Sequence, residues 1–218
     1  MRADGGRHIM QSDSTLHTNS RALIVVANPS AQSFSHAVAA AARDVLVARG
    51  FEPIYHDLYV EQFDPVQRTG ELGNRTSTDE LVETHVRDLT SASIIVICHP
   101  NWWGQPPAIL KGWLDRVFRP GVAYDYPPGV GPEGLPIGLL RARAALIFNT
   151  SNTPADREVS VFGDPLDILW KRCIFGLSGV GSIERRMFSP MASSTPEQRA
   201  LWISEARELV SKTCSNNA

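Results

Sequence analysis

From Arg21 onward, short apolar runs alternate with longer amphipathic stretches. This is the pattern of βαβ units, because consecutive parallel strands need a crossover of a dozen or more residues, usually a helix. The strand-like runs are ALIVVA at 22–27, EPIYHDL at 52–58, SIIVIC at 93–98, RAALIFNT at 143–150 and a fifth at 180–188. Between them, helices are predicted over 35–49, stopped by Gly50; from Ser77, with Glu80 three residues on as a capping box; from Pro107 to about Phe118; and from the Asp164 and Pro165 pair to about Gly176. A last helix opens at Thr195, Pro196 and Gln198. Five strands and five helices in strict alternation predict an α/β, three-layer, doubly wound domain whose parallel sheet has the order 2-1-3-4-5.

At 218 residues the chain suits one such domain, expected over 21–218, behind a polar leader at 1–20 that lacks periodicity and contains His8 and His17. A net charge of −2 gives no electrostatic attraction to nucleic acid or anionic lipid, and no apolar run reaches the length of a membrane span. Three cysteines without CxxC spacing argue against a disulfide framework and a zinc site, so a reducing, cytoplasmic setting is expected.

In a parallel α/β sheet, ligands sit beyond the carboxyl ends of the strands, at the point where strand order reverses. Three loops reach that edge. The loop after SIIVIC carries Pro100, Asn101, Trp102, Trp103 and Gly104 before a helix entered through Pro106 and Pro107, so its indoles can face a planar ring such as a flavin. Packing in a core or hinge is the competing use of such tryptophans. The loop ANPSAQSFS after the first strand offers Asn28, Ser30, Gln32, Ser33 and Ser35 before a helix N-terminus, either as an anion cradle or as an ordinary capped turn. The loop after the fourth strand offers Thr150, Ser151 and Asn152, whose donors can meet the polar rim of a flavin where charge develops on reduction.

Other motifs are set aside by their context. GVGPEG at 129–134 matches GxGxxG but has prolines before and within it in place of a strand and a helix. GLSGVG at 176–181 has Val180 where the GxSxG elbow needs glycine. His36, His56, His85 and His99 show no paired-ligand spacing, so no metal is expected.

The segment HPNWWGQPPAILKGWLDRVF with AYDY after it, GDPLDILW from Gly163 and, more loosely, ANPSAQSFS resembles the NAD(P)H:quinone oxidoreductases of the flavodoxin-like fold. The resemblance spans about 21–181. It implies a homodimer holding FAD or FMN, reduced by NAD(P)H and reoxidised by a quinone-like acceptor in a ping-pong cycle. By position it implies phosphate and ribityl contacts from Ser33 and Phe34. Pro100, Asn101, Trp102 and Trp103 then line the ring, with Thr150, Ser151 and Asn152 on its pyrimidine side. Tyr124, Tyr126 and Phe162 frame the substrate, often from across a dimer interface.

Two departures stand out. Asn28 replaces a histidine common in that family, and Phe162 replaces the histidine that manages charge on the reduced flavin in some members. Trp103, Thr150 and Arg157 are the expected catalytic positions, with either Arg157 supplying a replacement positive charge or solvent handling protonation. The alternative is a non-catalytic regulatory subunit or electron carrier of the same fold.

Overall fold

The computed structural model describes residues 20–215 except Asn74 and Pro132, so all of the expected leader but Ser20, with its two histidines, lies outside the described residues. In chain order the elements are β1 (Arg21–Val26), α1 (Phe34–Ala48), β2 (Glu52–Asp57), α2 (Glu80–Ser91), β3 (Ile94–Pro100), α3 (Ala108–Val117), β4 (Tyr124–Asp125), β5 (Ile137–Gly138), β6 (Ala144–Thr150), α4 (Ala155–Ser160), α5 (Pro165–Ile168), β7 (Ser182–Phe188) and α6 (Pro196–Ser215). The main sheet has the order β2-β1-β3-β6-β7, every pair parallel. With β4 and β5 paired separately as a short antiparallel ribbon, this is the expected 2-1-3-4-5 arrangement.

Alternation of side chains along the strands builds two cores. Leu23, Val25, Ile95, Ile97, Ala145 and Ile147 face one way, against Leu89 of α2, Trp113 of α3, Trp170 and Phe175. Ala22, Ile24, Val26, Val96, Leu146 and Phe148 face the other way, against Val38 and Leu46 of α1 and Trp202 and Val210 of α6. Covering both faces is why β3 reads as an unbroken apolar run, and each fully buried branched side chain contributes about 1.5–3 kcal/mol.

Ser33 caps α1, its hydroxyl accepting from the His36 N–H, and Gly50 follows the helix with φ +81°. The cap of α2 differs from expectation: it is Asp79, whose Oδ1 accepts from Leu81 at 3.0 Å, and not Ser77. Ser77 is drawn elsewhere, donating its hydroxyl to Glu71 Oε1 at 2.6 Å. Glu71 is buried because Arg116 of α3, 1% exposed, meets its two oxygens at 2.6 and 3.0 Å and also reaches Asp79 at 3.0 Å. The stretch between β2 and α2 is thus strapped across α3, so closely that a Cβ on Gly112 would lie 2.2 Å from the Pro65 carbonyl oxygen.

The region after β6 departs furthest from the sequence reading. A short helix, α4, was not expected, and α5 continues as a π-helical stretch over Leu169–Gly176. Asp164 precedes Pro165 as predicted, yet its side chain makes no cap; it adopts φ +45° and its Oδ2 pairs with Arg185 of β7 at 2.7 Å. GVGPEG, whose Pro132 lies outside the described residues, falls between β4 and β5 in the chain, and among the described residues the next element is β5 and not a helix.

Candidate functional site

The exits of β3 and β6 lie side by side, with Pro100 in register with Thr150 and Asn101 N–H donating to the Thr150 carbonyl at 2.6 Å. Beyond them Trp102 and Gln105 exchange two backbone hydrogen bonds, each of 3.0 Å, across Trp103 and Gly104. Those central residues have φ of +56° and +72°, the type I′ pattern, which favours Asn or Gly and disfavours a bulky side chain. Trp103 is nonetheless there and fully exposed. Strain of this kind costs on the order of 1–3 kcal/mol and marks positions held for a purpose other than stability. Gly104 is required for a second reason, since a Cβ there would meet Pro165 Cγ at 2.8 Å.

The turn is held from below. Asn101 accepts the Gly104 N–H on its Oδ1 at 2.9 Å and donates from Nδ2 to Oε1 of Glu158 at 2.9 Å. On the β6 side, Ser151 accepts on its hydroxyl from Thr153 N–H at 3.1 Å, and Asn152 Oδ1 accepts from Ala192 N–H at 3.0 Å. Beneath, His99 is fully buried and accepts from the Trp170 indole at 3.1 Å.

These loops enclose a cavity of about 760 Å³. Pro100, Asn101, Trp102, Trp103 and Gly104 line it from β3; Thr150, Ser151, Asn152 and Thr153 from β6; Glu158, Phe162 and Pro165 from the following segment; and Met191 from beyond β7. The volume falls in the range of small-molecule sites, and the make-up, aromatic and aliphatic walls with a few hydroxyls, amides and one carboxylate, fits a planar, largely apolar ring with a polar edge. A flavin ring meets that description.

Nine expected site residues therefore share one cavity: Pro100, Asn101, Trp102, Trp103, Gly104, Thr150, Ser151, Asn152 and Phe162. The others lie elsewhere. Asn28, Ser30, Gln32, Ser33, Phe34 and Ser35 form the turn after β1 and the start of α1, outside the lining. There Asn28 Oδ1 accepts from Ser30 N–H at 3.0 Å, and the half-buried Phe34 packs its ring edge-on against Phe188 and Trp202. Ser33 Oγ lies 2.8 Å from His36 Nδ1, whose Nε2 is 2.8 Å from Asp57 Oδ2. Tyr124 lines a separate 450 Å³ cavity with Phe118 and Leu177, and Tyr126 packs edge-on to Tyr124. Arg157 is exposed and absent from the lining; its neighbour Glu158 turns inward, so the charge brought to the site is negative where a positive one was expected. Glu158, Pro165 and Met191 also line the cavity and were not among the expected site residues.

A second cluster was also not legible. His56, Glu61 and His85 bring potential metal-ligating atoms within 4.8 Å of one another. The Trp113 indole donates to His85 Nδ1 at 2.9 Å, which leaves the proton of neutral His85 on Nε2, the atom a metal would need. The geometry is that of a hydrogen-bonded, charged network: His56 meets Glu61 at 2.7 Å and Asp88 at 3.0 Å.

A five-stranded parallel sheet of this order, with a cavity at the carboxyl ends of adjacent strands, is the doubly wound α/β architecture of flavodoxin type. Residues 20–212 match the model of the family described as Flavodoxin-like fold, and the chain belongs to that family. It is 30% identical over 173 residues to an uncharacterized NAD(P)H oxidoreductase of Haemophilus influenzae, covering 76% of this chain and 82% of the relative. It is 32% identical over 171 residues to the human ribosyldihydronicotinamide dehydrogenase [quinone], covering 69% and 72% respectively. Among solved structures, Smu.1420 from Streptococcus mutans superposes with a TM-score of 0.76 at 26% identity, over 88% of this chain and 99% of that one.

Proposed function

We propose that this protein is a flavin-dependent NAD(P)H oxidoreductase that passes a hydride equivalent to a quinone-like acceptor. The observation that carries the reading is the exposed Trp103, held at φ +56° on the rim of the β3–β6 cavity. The names of the relatives support the nicotinamide and quinone parts of it. Bound flavin, as FMN or FAD, would supply the two-electron chemistry.

The chain's own residues position and shield. Trp102, Trp103 and Phe162 provide apolar walls against which flat rings stack; Thr150, Ser151 and Asn152 present hydroxyl and amide groups to a polar ring edge; Met191 and Pro165 exclude water. One stacking face serves reductant and acceptor in turn, which is the ping-pong order. A second copy of the chain would bring Tyr124 and Tyr126 to the open side of the cavity, making the homodimer the working unit in a cytoplasmic setting.

The test is NAD(P)H consumption by flavin-loaded protein with and without a benzoquinone. Quinone-dependent turnover is expected. Flavin binding with no NAD(P)H oxidation would favour an electron carrier or regulatory subunit instead.

A further inference from the structure

We propose that Glu158 is the specificity-determining residue of the β3–β6 cavity, accepting on its second carboxylate oxygen an imide-type ring N–H, the donor that the pyrimidine edge of a flavin presents between two carbonyls. This rests on the flavin reading above and adds the group by which the ring is selected.

Glu158 is 1% exposed and is the only charged side chain among the residues lining the cavity. Its Oε1 is satisfied by the Asn101 amide, whereas its buried Oε2 has no hydrogen-bond partner among the described residues. A carboxylate oxygen out of water and without a donor is costly, so the fold carries a standing demand for an N–H or O–H at this place.

The ligand chemistry that answers it is narrow. An oxidised flavin ring has one N–H, flanked by carbonyl oxygens that suit the neighbouring donors of Thr150, Ser151 and Asn152. A quinone acceptor carries no N–H or O–H and gains nothing from Glu158 on binding. A nicotinamide carboxamide also carries N–H groups and is the alternative donor.

Methylation of the flavin at N3 removes the proposed donor and tests the assignment directly. Dissociation constants for FMN and N3-methyl-FMN would be measured by quenching of flavin fluorescence on the parent protein and on Glu158→Gln. The glutamine keeps the volume, but its single oxygen is claimed by Asn101, leaving an NH2 group toward the ring. The parent should prefer FMN by about ten- to a hundredfold, the worth of a hydrogen bond to a charged acceptor. In Glu158→Gln, FMN should weaken at least about tenfold and the preference should fall to within about threefold. Glu158→Ala, measured alongside, should lose the preference too, and keeps the test intact should the glutamine variant fold poorly. Equal binding of the two flavins by the parent, or a preference that survives in the variants, would overturn this inference alone. Failure of both flavins to bind the parent would overturn the reading of the cavity and this inference with it.

Discussion

Trp170 donates its indole N–H to Nε2 of His99 at 3.1 Å. An indole can only donate, so this bond leaves the imidazole proton on Nδ1, which gives it to the Pro100 carbonyl at 2.8 Å. The helical segment after Asp164 is thereby tied to the exit of β3, directly under the tryptophan-bearing turn.

Acid should loosen this tie. Burial drives His99 down to about 4, with the charge of Arg185 acting in the same direction and the Pro100 hydrogen bond opposing it. Between the unfolded value near 6.5 and the folded value near 4, the unfolded chain binds a proton that the folded one refuses. Stability therefore falls as pH falls through that window, by roughly 3 kcal/mol in all. Urea midpoints measured from pH 7.5 to 4 should show this slope, and His99→Asn, less stable at pH 7.5, should lack it.

His56 gives the opposite sign. Burial pulls it down, but hydrogen bonds and charge from Glu61 and Asp88 outweigh that and leave it raised. Its contribution is complete below the unfolded value near 6.5 and is lost as pH rises through the folded value. Parent protein should lose stability as pH rises above about 6.5, and His56→Gln should flatten that limb; an unchanged limb would refute the doubly bonded His56.

The sheet was legible because both of its faces are covered, so β1, β3 and β6 read as apolar runs, and strict alternation with helices marked it as parallel, 2-1-3-4-5 being the simplest order. The cap of α2 was misplaced because a buried Arg116–Glu71 pair, distant in sequence, claims Ser77. In the site, residues immediately following a strand were found from spacing alone. Glu158 and Met191 were not: Glu158 depends on the short helix α4 turning one residue toward Asn101, and Met191 on the path of the chain beyond β7, and hydrophobic periodicity signals neither.

Arg116 should be among the least replaceable residues outside the site. It holds Glu71 at about 2 by direct hydrogen bonding, against burial. Arg116→Met would leave the buried Glu71 carboxylate without its counter-charge and should cost about 3–5 kcal/mol in denaturant titrations. Adding Glu71→Met should recover a large part of that loss.

Trp103→Gly should separate stability from binding. The fully exposed indole makes no core contact and glycine relieves the φ of +56°, so stability should hold or rise by up to about 1 kcal/mol. Flavin affinity and NAD(P)H turnover should both drop. A variant that binds and turns over like the parent would place Trp103 outside the working site.

The most direct measurement is the visible spectrum of the purified protein after incubation with FMN or FAD and removal of unbound ligand. A retained flavin absorption band, lost in parallel with binding when Trp103 or Glu158 is replaced, is the predicted result. A correctly folded protein that stays colourless with either flavin would contradict the account.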